Sequence, residues 1–210
     1  MFLSDGNSKY KDSKLKTLTW GIPALKSATG VVTCPGAGEC AKFCYAQQGR
    51  MRMSNCQKAQ EKRLALSQSP DFVDTIVREL QGRKWDRVRV HDTGDFYNAA
   101  YLGKWFRIMD AFPDKQFFAY TKMVPLLKKA EGGGGIPGNF HVVYSLGGKW
   151  DKDVDLKKDW HSRIFRDEAE AKAAGYRESD NEYPLSMADP DLTREALIYH
   201  GTKLYDTCLK

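Results

Sequence analysis

The chain has 210 residues, of which 41% are hydrophobic, and its 33 basic and 27 acidic side chains give a net charge of +6. This apolar content excludes an intrinsically disordered chain, and no apolar run reaches the ~20 residues of a membrane-spanning helix. The whole charge excess lies in residues 1–100, which hold 16 basic and 10 acidic side chains, whereas residues 101–210 hold 17 of each.

Residues 1–16 predict a polar N-terminal arm, and residues 17–210 predict a single α/β domain. The arm lacks the apolar stretch of a secretory signal, so we expect a cytoplasmic, reducing environment. An irregular segment at 22–49 follows the first strand. Strands are predicted at residues 16–21, 87–91, 116–121, 140–145, 163–165 and 195–200. Helices are predicted at residues 51–67, 70–81, 98–112, 124–131 and 167–174.

The alternation of strands and helices predicts a mainly parallel sheet built from about five or six βα units. A full eight-fold barrel takes ~250 residues, so we expect a partial, open barrel, with a doubly wound sheet as the alternative. In both folds the binding site lies beyond the carboxyl ends of the strands. The segment at 22–49 is expected to open onto that edge, beside the residues that follow the later strands.

Four of the five cysteines fall within 23 residues, and a C-x5-C-x3-C pattern in the irregular segment comprises Cys34, Cys40 and Cys44. Closely spaced thiolates on a glycine-containing loop are typical ligands of an iron–sulfur cluster or of zinc. Zinc sites usually draw on a second pair of ligands, and the four histidines lack H-x3-5-H spacing. We therefore favour an iron–sulfur loop at 33–46, with zinc or redox-active thiols as the alternatives. Cys56 and Cys208 are candidates for a fourth ligand.

Parts of the chain resemble a bacteriophage family of uncharacterised function. The segments that carry this resemblance are TCPGAGECAKFCYA (33–46), RVHDTGDF (89–96) and FFAYTK (117–122). This gene-product-88-like family is described as radical-SAM-like, after enzymes that cleave S-adenosylmethionine (SAM). Such enzymes carry three cysteines after the first strand of a partial or full barrel, with an aromatic residue before the third. The resemblance implies a [4Fe–4S] cluster on the three cysteines and implies that Phe43 packs on the adenine of SAM. The spacing departs from the standard C-x3-C-x2-C at both intervals, which bears on SAM cleavage rather than on the cluster.

Polar residues follow three of the predicted strands. Thr93-Gly94-Asp95 resembles a degenerate form of the motif with which radical SAM enzymes hold the amino group of SAM, and Asp92 precedes it. The resemblance implies that Asp95 pairs with that ammonium, whereas the same residues also suit a turn and a helix cap. Lys122 and Ser145 end the next two strands, and each is either a ligand for a carboxylate or phosphate or a solvated surface residue.

We expect one of three functions. The first is a [4Fe–4S] protein that cleaves SAM to act on an unknown substrate. The second is an iron–sulfur protein without SAM, whose four-cysteine cluster transfers electrons, senses redox state or stabilises the fold. The third is a zinc-stabilised module whose basic N-terminal half binds nucleic acid. The basic run that suits nucleic acid, or simply a solvated helix face, comprises Arg50, Arg52, Lys58, Lys62 and Arg63.

Overall fold

The computed structural model describes residues 1–6, 15–179, 184 and 187–199, and its centre is an open sheet of eight strands. The strands are β1 (Ser4–Asp5), β2 (Thr17–Trp20), β3 (Arg87–Val90), β4 (Gln116–Thr121), β5 (Phe140–Ser145), β6 (His161–Phe165), β7 (Arg177–Glu178) and β8 (Arg194–Ile198). Their order across the sheet is β1-β2-β3-β4-β5-β6-β8-β7. All neighbouring strands are parallel except β1 and β2. From β2 to β6, each crossover therefore adds the next strand on the same side of the previous one.

In the described ranges, five α-helices connect these strands: α1 (Ser54–Gln68), α2 (Phe72–Gln81), α3 (Ala99–Asp110), α4 (Val124–Gly132) and α5 (Glu168–Ala173). The apolar sides of α1–α4 pack against one face of β2–β5, where the Trp20 ring meets the edges of Phe72 and Trp105 at 5.3 and 5.7 Å between centroids. Burial of these large rings supplies much of the folding free energy. No helix in the described ranges is both long and apolar enough to span a bilayer.

All five helices lie on the same side of the sheet. The register pairs Tyr144 of β5, which belongs to the main core, with His161 of β6. Phe165 is four residues further along β6 and so faces the same side, where it packs against Ala171 of α5. In the described part of the chain no α-helix covers the opposite face. The doubly wound alternative is therefore wrong, because that fold carries helices on both faces.

The face without helices carries several polar and charged side chains that are buried. Arg87 of β3 is only 2% exposed, and its Nε donates a hydrogen bond to Thr17 Oγ1 at 2.8 Å. On the same face the Tyr120 hydroxyl donates to Glu195 Oε1 at 2.5 Å, and Glu195 is 3% exposed. Buried charges need such partners, because desolvation disfavours an isolated ion. The sheet thus has one apolar side against the helices, whereas its other side combines these buried polar groups with the buried side chains of Phe118 and Val143.

The predicted elements agree with the structure over most of the described chain. The bounds of β4 and β5 are those predicted, and β2 lies inside the predicted first strand. β6 begins at His161, two residues earlier than predicted, and α1 begins at Ser54 because a 3-10 turn occupies Gly49–Arg52. The predicted last strand ends at Ile198 within the described residues, and His200 lies outside them. The short edge strands β1 and β7 were not predicted.

The first residues of the predicted polar arm are part of the fold. β1 pairs antiparallel with β2, and the Leu3 side chain is buried. The backbone N–H groups of Phe2 and Leu3 donate to the Glu79 carboxylate at 2.6 and 2.9 Å. Arg63 Nε donates to the carbonyl oxygen of Phe2 at 2.6 Å. This member of the basic run therefore has a structural role, since it holds the arm against α1.

Candidate functional site

Residues 33–46, which we call the cysteine segment, cross the carboxyl ends of the parallel strands. Its contacts there include hydrogen bonds from Asp95 N to Thr33 O at 3.0 Å and from Cys40 N to Gly147 O at 3.3 Å. The rings of Phe43 and Tyr199 also meet edge-on, with 6.0 Å between their centroids. These partners follow β3, β5 and β8, so the segment spans the sheet edge from its middle to its far side. Phe43 is 3% exposed and already packs against Tyr199. Its contact with the adenine of SAM stays a prediction.

Gly36 and Gly38 allow the segment to lie directly on the loops that follow β4 and β5. A Cβ on Gly36 would lie 2.6 Å from the carbonyl oxygen of Lys122. A Cβ on Gly38 would lie 2.9 Å from the carbonyl carbon of Gly148. Both contacts are with backbone, which cannot turn aside as a flexible side chain does. The glycines are therefore required for docking the segment onto the sheet edge.

Cys34, Cys40 and Cys44 are partly buried, and their thiols lie within electrostatic reach of one another. Burial raises the pKa of the Cys34 thiol to about 12, and the Asp95 charge adds to that shift. Burial also raises the pKa of Cys44, with Cys40 acting in the same direction. The backbone N–H of Leu25 donates to Cys34 Sγ at 3.2 Å and opposes the shift there. Cys34 and Cys44 are therefore neutral thiols at physiological pH as long as no metal cation is bound to them.

In the metal-free protein, Cys34 is expected to react with iodoacetamide near pH 8 at least about tenfold more slowly than in the urea-unfolded chain. The thiolate is the attacking species, and burial beside Asp95 disfavours it in the folded protein. Peptide mass spectrometry after timed alkylation gives the rate at each cysteine. Equal rates in the folded and unfolded chains would contradict the burial and charge at this position.

Asp95 connects the loops that follow three elements. Its Oδ1 accepts a hydrogen bond from Thr121 Oγ1 at 2.6 Å and another from the Phe96 N–H at 2.8 Å. Its Oδ2 accepts the Lys122 N–H at 2.9 Å, and its own N–H donates to Thr33. Burial raises the pKa of this carboxyl group, and the hydrogen bonds oppose the shift. Asp95 therefore joins the ends of β3 and β4 to the cysteine segment, and its pairing with the amine of SAM stays a prediction.

Asp92, Thr93 and Gly94 form the turn after β3, against the start of the irregular segment. The Thr93 hydroxyl donates to the carbonyl oxygen of Ile22 at 2.8 Å, and the N–H of Ile22 donates to the carbonyl oxygen of Thr93 at 3.0 Å. Gly94 has φ +80°, and a Cβ there would lie 2.3 Å from a carbon of the Ile22 side chain. Asp92 is half-buried, which leaves its carboxylate more accessible than that of Asp95. This turn fixes where both carboxylates stand.

His91 begins this turn in a left-handed conformation, with φ +72°, that is unusual for a residue other than glycine. Its ring is buried, and its Nε2 hydrogen-bonds the Tyr101 hydroxyl at 3.0 Å. Trp20 Nε1 donates to the same hydroxyl at 2.8 Å. Burial lowers the pKa of His91 to about 3, so the imidazole is neutral. His91 is thus a neutral ring that the core holds in place.

Lys122 and Ser145, predicted separately at the ends of β4 and β5, are in contact. Lys122 Nζ donates to Ser145 Oγ at 2.7 Å and to the carbonyl oxygens of Ser145 and Leu146 at 2.8 and 2.9 Å. The ammonium also opposes the rise in the pKa of Cys44 and of Asp95. Lys122 therefore contributes the positive charge at the strand ends, between the thiols and the buried carboxylate.

Asp151 is a site residue that the sequence analysis missed. Its two carboxylate oxygens accept the N–H groups of Gly147 and Gly148 at 2.7 and 2.9 Å. These glycines carry the carbonyl that holds Cys40 and the bridge to Ala37. An aspartate three to four residues after a Gly-Gly pair is a turn signal that would have identified it.

Comparison with known proteins shows to which family this chain belongs. The family model described as gene product 88 matches residues 1–208. The chain belongs to the gene product 88 family. The Gene 88 proteins of Mycobacterium phages L5 and D29 are 32% and 31% identical to it over 107 residues. Each alignment covers 43% of this chain and 43% of the relative, so the match spans less than half the length of these relatives. No solved structure matches the chain.

The two candidates for a fourth ligand in this gene product 88 chain are Cys56 and Cys208, and the structure describes only Cys56. Cys56 is the third residue of α1 and is partly buried, and its N–H donates to Asn55 Oδ1 at 2.9 Å. Cys208 lies outside the described residues. The choice of a fourth ligand between these two residues stays a prediction.

The donors that the structure brings together differ in how well they suit a single metal ion and a cluster. Among the described residues, no three or more His, Cys, Asp or Glu side chains are arranged to hold a single metal ion. A [4Fe–4S] cluster makes a different demand, because its cysteines bind separate irons and their sulfur atoms stand farther apart. Three thiols within electrostatic reach, one of them accepting a backbone N–H at 3.2 Å, are a suitable donor set for such a cluster.

Proposed function

We propose that this gene product 88 protein binds a [4Fe–4S] cluster through Cys34, Cys40 and Cys44 and acts as a radical-SAM-like enzyme. The observation that carries the proposal is that three thiols, within electrostatic reach of one another, lie on a segment docked across the carboxyl ends of parallel strands. Binding sites of βα folds lie at this edge.

The charge balance of the site supports the proposal. The raised pKa values of Cys34 and Cys44 mean that thiolates are unfavourable in the protein alone. Iron would supply the missing positive charge and displace the thiol protons, as metal ions do at cysteine sites. The Leu25 N–H already donates to Cys34 Sγ, and such bonds to sulfur stabilise a bound cluster.

The strand order supports a partial, open barrel of the radical-SAM type. β2 to β6 follow one another in chain order, and all five helices lie on one face. A barrel is built in this way, with helices outside and the second face of the sheet turned inward. The second face, on which Arg87 and Glu195 are buried, would then line the interior.

The two carboxylates after β3, those of Asp92 and Asp95, would have different roles in a SAM site. A reduced [4Fe–4S] cluster held by Cys34, Cys40 and Cys44 would supply the electron for reductive cleavage of SAM, which is the chemistry that starts hydrogen abstraction from a substrate. Asp95 already accepts three hydrogen bonds and is 5% exposed, so its role would be to hold the loop. The half-buried Asp92 is the better partner for the ammonium of SAM.

Addition of SAM to the anaerobically reconstituted and reduced protein tests the enzymatic part of this proposal. We expect SAM to change the electron paramagnetic resonance spectrum of the cluster and 5′-deoxyadenosine to form. Asp92→Asn should weaken the SAM-induced change, and Asp74→Asn, in an exposed position on α2, is the matched control. A cluster whose spectrum ignores SAM, with no 5′-deoxyadenosine, would overturn SAM cleavage and leave a cluster protein of another kind.

A further inference from the structure

An open cavity of about 520 Å³ lies beside the cysteine segment, between it and the amino end of α1. Its wall includes Cys44, and the chain before the segment and the start of α1 complete it. This volume falls within the roughly 300–1,000 Å³ of sites that bind small molecules. The cavity is therefore large enough for a ligand of nucleotide size and lies directly beside a proposed cluster ligand.

The charge of this cavity has one sign. Three cationic side chains from separate stretches of the chain line it, namely Lys26, Lys42 and Arg52. Among the described residues that form its wall, none is acidic. Glu39 pairs with Lys42 at 2.5 Å, but both side chains are more than half exposed, so water screens that pair. A cavity with this lining favours an anionic ligand.

Neutral donors complete the lining. Gln57, in the first turn of α1, and Gln47 also line the cavity, and the Gln47 side-chain amide donates to the carbonyl oxygen of Ala24 at 3.4 Å. Arginine, lysine and amide N–H groups together match the oxygens of a phosphate ester, which accept several hydrogen bonds at once. The cations therefore point to phosphate rather than to a single carboxylate.

We propose that this cavity binds the phosphate group of a nucleotide and, resting on the proposed function, that this nucleotide is the substrate on which the cluster acts. A free nucleotide and the end of a nucleic-acid strand carry the same group. The proximity of Cys44 would bring either of them next to the site of hydrogen abstraction. Three of the 16 basic side chains of residues 1–100 thereby acquire a specific role.

Titration calorimetry of the full chain without cluster tests the phosphate site separately from iron–sulfur chemistry. The probes are AMP and a single-stranded DNA of about 12 nucleotides. The double variant Lys26→Ala/Arg52→Ala is expected to weaken binding about tenfold or more, because two charged donors are lost. Arg50→Ala/Lys58→Ala is the matched control: both residues are exposed and basic but outside the cavity wall, and we expect a change within about twofold.

The two probes distinguish the source of the phosphate. Binding of AMP that the cavity variant weakens identifies a free nucleotide, and binding of the DNA alone identifies a strand. An equal loss in both double variants, or no binding of either probe at about 1 mM, would overturn the cavity proposal. Because no cluster is present in this experiment, such a failure would leave the proposed iron–sulfur function standing.

Discussion

Replacing Cys34, Cys40 or Cys44 singly by alanine is expected to lower the iron bound after anaerobic reconstitution at least about tenfold. Loss of one of three ligands leaves an iron without its protein thiolate, and the remaining two cannot hold the cubane against exchange. The fold should survive, because the core lies between the helices and the sheet, away from the segment. Iron analysis with far-ultraviolet circular dichroism measures both quantities on the same samples.

Cys56→Ala is the matched control, since Cys56 is also partly buried and lies only 12 positions after Cys44. We expect it to retain its iron, and its response to SAM should equal that of the unmodified chain. If Cys56→Ala loses as much iron as the three loop variants, the cluster has four cysteine ligands and no open iron for SAM. If none of the four variants loses iron, the assignment of the loop cysteines is wrong.

Asp95→Ala is expected to lower the free energy of unfolding of the cluster-free protein by about 3 kcal/mol. The change removes the acceptor for the Thr121 hydroxyl and for the N–H groups of Phe96 and Lys122 in a buried site. Asp95→Asn keeps the shape and one acceptor oxygen, so about half that loss is expected. Urea denaturation followed by tryptophan fluorescence measures both variants.

The matched control for Asp95 is Asp92→Ala in the same turn. Asp92 is half-buried, and we expect a loss below about 1 kcal/mol. This order would reverse if Asp95 were mainly a ligand: Asp95→Ala would then unfold like the unmodified protein and lose the response to SAM. That result would contradict the structural role assigned to Asp95.

Much of the fold follows from local sequence. The aromatic and β-branched residues of QFFAYT and FHVVYS predicted the bounds of β4 and β5, because such side chains suit a strand that buries one face against helices. The two-residue strands β1 and β7 are too short to show a hydrophobic pattern in the sequence. They form because β2 and β8 offer backbone groups for pairing at the two edges of the sheet. The burial of Arg87 and Glu195 was also beyond local sequence, since it depends on partners distant along the chain.

The location of the site could be predicted, but its internal contacts could not. Parallel strands bring their carboxyl ends to one edge, which is why Asp95, Lys122 and the cysteine segment meet. The bonds of Lys122 to Ser145, and the use of Asp95 as a connector, depend on side-chain directions in loops of irregular conformation. Asp151 follows a Gly-Gly pair at turn spacing, but that signal indicates only a turn and does not show that the turn holds Cys40 of the cysteine segment.

Analysis of iron, acid-labile sulfide and zinc in the anaerobically purified full chain tests the central claim most directly. We predict a brown protein with iron and sulfide in equal amounts, about four of each per chain, and an absorbance near 400 nm that dithionite bleaches. A colourless chain that stays free of iron and sulfide after anaerobic reconstitution, or that carries zinc in their place, would contradict it.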